Sequence, residues 1–179
     1  MEAGDLLYGG PWVAERFAAV GEFMERHPSD VDPIVYAIVH AASSLTAAEA
    51  FTGMHRLREL EAQTRRAWAE MDVMCLPTTG TTYTLEEVRR EPVRTNANLG
   101  YYTNFVNLLD LSAVAAPAGF RSNGLPFGVS LIAPALGDLA LLRLADRFQR
   151  SQESSIGATG ASLAPDTELA PPPATVLPM

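Results

Sequence analysis

The sequence contains no lysine; all thirteen of its basic side chains are arginine. Within this chain that excludes a lysine general base, a Schiff base and a phosphate-loop lysine. Cysteine is almost as scarce. Cys75 stands alone, so no disulfide can close inside the chain, and a reducing compartment fits. No N-terminal apolar run has the form of a secretion signal. No apolar stretch approaches the roughly 20 residues a membrane span needs, so the cytoplasm is the expected location and no membrane the expected setting. Basic clusters are short, the longest being Arg65-Arg66 and Arg89-Arg90. With a net charge of -8 and a pI of about 4.8, the chain offers phosphates no positive face, and nucleic acid is excluded as a partner. The acidic excess serves solubility.

What is present describes a globular chain. Its 179 residues are 47% hydrophobic and 19% charged, which suits one domain. Residues 1–7 carry no helix start signal. Gly9-Gly10-Pro11 then punctuates the chain, and Pro11 suits the first position of a helix with Trp12, Phe17, Val20 and Phe23/Met24 at helical spacing. His27-Pro28 stops it. Asp32-Pro33 opens a second helix with Ile34, Val35, Ile38 and Val39 as its stripe. Thr46 and Glu49 form a capping box for a long helix to about Glu70, with Phe51, Met54, Leu57 and Leu60 facing inward. Val73 to Pro77 reads as a buried strand, and Thr84 with Glu87 caps a short helix ending before Pro92. Asn98 to Leu109 reads as helical or irregularly so. Two apolar runs, Ala113 to Phe120 and Phe127 to Ala133, flank Asn123-Gly124, a hairpin signal because both residues accept positive φ. Asp138 caps a last helix with Leu139, Leu142, Ala145 and Phe148 on one face. From about Ser151 onward Gly, Ser, Ala and Pro dominate, with Pro171-Pro172-Pro173 stiffening a linker or tail. Helices interleaved with strands argue for an α/β fold with a mixed sheet flanked by helices.

Self-sufficient chemistry is hard to find in these residues. Cys75 lies among Val, Met and Leu, where a cysteine behaves as a small buried apolar residue. His27, His40 and His55 have no metal-ligand spacing. Gly9-Gly10 and Gly80 are too scattered to cradle a phosphate, and Ser43-Ser44 has no glycines around it.

The stretch Asn107-Leu-Leu-Asp-Leu-Ser-Ala-Val-Ala-Ala-Pro-Ala-Gly-Phe120, followed by Gly124-Leu-Pro-Phe-Gly-Val-Ser-Leu-Ile-Ala-Pro134, resembles the C-terminal signature of amidase-signature enzymes. Leu76-Pro77-Thr78 resembles a strand end found earlier in the same family. Two segments are similar to the allophanate hydrolase branch: Tyr8-Gly-Gly-Pro-Trp-Val-Ala-Glu-Arg-Phe17 and Leu99-Gly-Tyr-Tyr-Thr-Asn-Phe-Val-Asn107. The resemblance spans roughly residues 5 to 150. It implies that 1–150 is the C-terminal half of an amidase domain, incomplete on its N-terminal side, and that 151–179 is a linker or disordered tail.

The resemblance also implies hydrolysis of allophanate (urea-1-carboxylate) in urea degradation, with urea carboxylase supplying the substrate. The amide step in the family uses a serine, a second serine in a cis peptide bond and a lysine, and needs no metal or organic cofactor. That triad is not located in this sequence, so no catalytic residue is carried over. Tyr8 and Arg16 are carried over as substrate-binding. Allophanate is a small anion, and a guanidinium offers a carboxylate parallel N–H donors. If Pro11 starts the helix, Tyr8 and Arg16 both face its N-terminal end, whose dipole favours an anion. Two alternatives stay open: another amidase-signature amidohydrolase acting on an uncharged amide, and a non-catalytic interaction module. A homo-oligomer is compatible with all three.

Overall fold

The structure is a computed structural model that describes residues 2–8, 10–152, 155–157 and 159–163, with only the backbone described for Tyr8. It opens with a helix that the pattern does not announce, Glu2–Tyr8 (α1). Contacts from elsewhere hold it: Ala3 is buried and Glu2 pairs with Arg56. Val13–Arg26 (α2) starts two residues later than Pro11, with Trp12 at its N-cap. Pro33–His40 (α3) is capped by Asp32, whose carboxylate accepts from the amides of Ile34 at 2.8 Å and Val35 at 3.2 Å. Ala47–Trp68 (α4) begins at the expected capping box. The Thr46 amide donates to Glu49 Oε2 at 2.8 Å, and the Glu49 amide donates to Thr46 Oγ1 at 3.2 Å, so two orphan donors are satisfied reciprocally.

Met74–Pro77 (β1) follows, then Leu85–Arg90 (α5), opened by the second capping box at Thr84 and Glu87. The helical stretch expected from Asn98 is divided. Pro92–Leu99 (α6) and Asn104–Leu108 (α7) are separated by a turn in which the Thr103 amide donates to the Gly100 carbonyl at 2.9 Å. Leu111–Phe120 (β2) and Pro126–Pro134 (β3) form the expected hairpin. Gly124 in its turn has φ of +79°, a conformation open to glycine and strained for most other residues. Asp138–Ser151 (α8) closes the described fold, with Gly137, and not Asp138, at its N-cap. The Asp138 carboxylate instead accepts from Ser112 Oγ at 3.2 Å and ties the helix to β2.

The α/β class with helices flanking a sheet is what the chain adopts. The three described strands run antiparallel in the order β1-β3-β2. Leu131 and Ala133 of β3 and Ala116 of β2 pack with Leu141 and Ala145 of α8, edged by Val114, Val129, Leu144 and Phe148. On the other face Met74 and Leu76 line a cleft of about 520 Å³ shared with Trp68, Tyr101, Tyr102 and Phe105.

Several expected core positions are exposed. Val20, Phe23, Ile34, Val35, Phe51, Met54, Leu139 and Leu142 all face outward. Helical periodicity locates an apolar face, but which part of a broad face is covered depends on what packs there. On α8 the sheet takes the arc Leu141, Leu144, Ala145 and Phe148, and on α4 only Leu57 and Leu60 of the four expected residues are buried. Cys75 is also exposed and not buried as expected. It pairs with Leu131 across the ladder on an edge strand, and α8 packs chiefly on β2 and β3, so nothing from that helix covers it. Among the described residues, no single helix is long and apolar enough to cross a membrane. The tail from residue 164 on, including Pro171-Pro172-Pro173, lies outside the described residues.

Candidate functional site

At the junction of α1 and α2 a guanidinium reaches back across the turn. The chain reverses at Pro11, whose carbonyl accepts from the Ala14 amide at 2.9 Å and starts α2. Little more than one turn further on, the half-buried Arg16 donates from Nη1 to the Leu7 carbonyl at 3.3 Å. Leu7 lies in the last turn of α1, where carbonyls have no further helical partner. A basic side chain there also meets the negative end of the helix dipole. Guanidinium donors form a planar fork of five, so an anchor on a carbonyl and a bidentate grip on a carboxylate are compatible.

Arg16 therefore sits beside the backbone of the residue expected as its partner. The phenol of Tyr8 lies outside the described residues. The start of α2 adds donors of its own. Trp12 makes no side-chain bond to them, and the positive end of a helix of 14 residues favours a bound anion.

The remaining candidates resolve into packing. His40 stacks on Tyr36, with ring centroids 5.2 Å apart, and meets the edge of Phe17 at 5.9 Å. His27 lies against Phe23 at 5.0 Å. These contacts explain both rings without a nucleophile to serve. Among the described residues, no three His, Cys, Asp or Glu side chains converge as metal ligands, and no buried side-chain nitrogen or oxygen lacks a hydrogen-bond partner.

One polar cluster escaped the sequence reading. Buried Ser130 donates to Thr78 Oγ1 at 3.0 Å, and the Thr78 amide donates to the Gly128 carbonyl at 3.0 Å. Together they extend the β1–β3 ladder one residue beyond Pro77 and fix the start of a threonine-rich loop. The one available signal was a serine placed inside the otherwise apolar run of β3. Farther along that loop, the Asn98 amide donates to the Tyr83 hydroxyl at 2.7 Å.

Comparison with known proteins gives this geometry a context. The family model described as Amidase matches residues 17–142. The urea amidolyase of Saccharomyces cerevisiae is 41% identical over 150 residues, covering 83% of this chain and 8% of that protein. The urea amidolyase of Lachancea kluyveri is 43% identical over 144 residues, covering 79% of this chain and 8% of that one. Among solved structures, Kluyveromyces lactis allophanate hydrolase superposes with a TM-score of 0.83 at 40% identity, over 89% of this chain and 26% of that chain. The chain thus spans about a twelfth of the length of these curated relatives and about a quarter of the solved hydrolase.

Proposed function

The chain belongs to the amidase-signature family, and on that premise we propose that it forms the substrate-pocket half of an enzyme that hydrolyses allophanate in urea degradation. The observation that carries the reading is the Arg16 guanidinium, bound to the last turn of α1 next to Tyr8. It stands in a chain about 40% identical to a solved allophanate hydrolase. In this reading Arg16 and Tyr8 hold the substrate carboxylate, and the N-terminus of α2 adds its dipole.

The nucleophilic machinery of the family, a serine, a second serine in a cis peptide bond and a lysine, is contributed by residues outside this sequence. The sequence itself supplies no lysine. In this reading residues 1–150 act as the C-terminal half of an amidase domain and 151–179 as a linker or tail. Urea carboxylation makes allophanate, so a urea carboxylase is the functional partner.

The test is Arg16→Ala in the complete enzyme. Losing one member of a desolvated, hydrogen-bonded charge pair removes about 2–5 kcal/mol, so kcat/KM for allophanate should fall roughly 30-fold or more. An unchanged kcat/KM removes Arg16 from the site and leaves an uncharged amide as the substrate class to pursue.

A further inference from the structure

The segment that carries Tyr8 and Arg16 is seated on α4 at a residue that no sequence pattern singles out. Gly53 is buried in the second turn of that helix. Glycine inside a helix weakens it relative to alanine, so its presence there needs a reason. Here the reason is steric. A Cβ on Gly53 would lie well inside contact distance of Pro11 Cγ, with Pro11 Cδ at 2.8 Å and Pro11 Cβ at 3.5 Å. The pyrrolidine ring is closed onto its own backbone and cannot swing aside as a long side chain would.

The far side of the same turn is equally tight. A Cβ on Gly10 would meet Leu6 Cα at 2.8 Å and the Leu6 carbonyl oxygen at 2.9 Å. The turn is thus close-packed at two points, Gly10 on Leu6 of α1 and Pro11 on Gly53 of α4. From the Pro11 carbonyl the chain enters α2, and Arg16 returns to Leu7. Any shift of the Pro11 ring is therefore passed on to the guanidinium within little more than one helical turn.

We propose that Gly53 is a positioning residue for the carboxylate of the substrate: its missing side chain is the notch in which Pro11 seats, and that seat sets where Arg16 stands. The inference rests on the reading of Arg16 given above. A guanidinium fork holds a carboxylate productively only within about 0.5 Å. A methyl group in the notch must move the proline by more than about 1 Å to reach ordinary contact.

The test compares variants of the complete enzyme, with allophanate as substrate. Gly53→Ala should raise KM about tenfold or more while kcat stays within about threefold, because the displaced guanidinium is assigned to the carboxylate and not to the reacting amide. Adding Pro11→Ala removes Cγ and Cδ and leaves a Cβ at 3.5 Å, an ordinary contact. The double variant should therefore regain KM to within about threefold of the parent, and its thermal unfolding should match the parent's. If Gly53→Ala alone does not fold, recovery of both fold and KM in the double variant supports the notch. A double variant that folds with KM still raised, or that fails to fold, overturns it, as does Gly53→Ala with an unchanged KM. An Arg16→Ala enzyme with normal KM sinks the underlying reading of the site. An impaired Arg16→Ala beside an unaffected Gly53→Ala sinks this inference alone.

Discussion

Leu141, at 1% exposure, is the point where α8 is fastened to the sheet, closed over by Ala116, Leu131, Ala133 and Ala145. Truncation there leaves a cavity in a close-packed layer, so Leu141→Ala should destabilise the protein by about 2–5 kcal/mol. Leu142→Ala, one position on and 54% exposed, should cost less than about 1 kcal/mol. Denaturant titration of the two variants measures the contrast. Residues of this kind were only partly legible in the sequence. The helical period pointed to Leu139 and Leu142, yet the sheet contacts Leu141 and Leu144, because α8 is apolar over a wide arc and only the packing partner selects a part of it. Arg16 stood out in the sequence only through its family-like segment, and its role is the proposal made above. Gly53 did not stand out, since its meaning lies in a proline some forty residues away.

At the scale of elements, the two capping boxes predict a pH response. The Thr46 amide and then its hydroxyl bind the Glu49 carboxylate and hold its pKa below the usual value. Thr84 does the same for Glu87. A folded-state pKa below the unfolded one means that this contribution is complete above the ordinary carboxylate range. It is lost as pH falls through the folded value. Amide protection factors, corrected for the intrinsic slowing of exchange in acid, should therefore fall more in the first turns of α4 and α5 than elsewhere on acidification. Glu49→Gln should flatten that response in α4 and leave α5 unchanged. Both boxes were readable because everything they need lies within four consecutive residues. The helix α1 was not, since its stability comes from Ala3 packing and from the Glu2–Arg56 pair, and the split between α6 and α7 falls at Gly100, a stop signal that the sequence carried and the helical reading passed over. The hairpin was readable for the opposite reason: Asn123-Gly124 states its turn outright.

At the scale of the molecule, the outward-facing apolar side chains of α2, α3, α4 and α8, with Phe51 at 60% exposure, exceed the scattered leucines a soluble surface ordinarily carries. The isolated 179-residue chain should accordingly bind a hydrophobic dye and scatter light increasingly with concentration. A dye-free monomer with one sharp thermal transition would sink that expectation. The α/β class was legible from alternating patterns, but strand order was not, because pairing partners are chosen across distances that no local signal spans. That order carries a consequence for synthesis. Among the described strands the last, Pro126–Pro134, is the middle one in space and supplies the ladders of both Met74–Pro77 and Leu111–Phe120. A nascent chain arrested on the ribosome before Pro126 holds two of the described strands without the one that joins them, and release of that one segment pairs both at once.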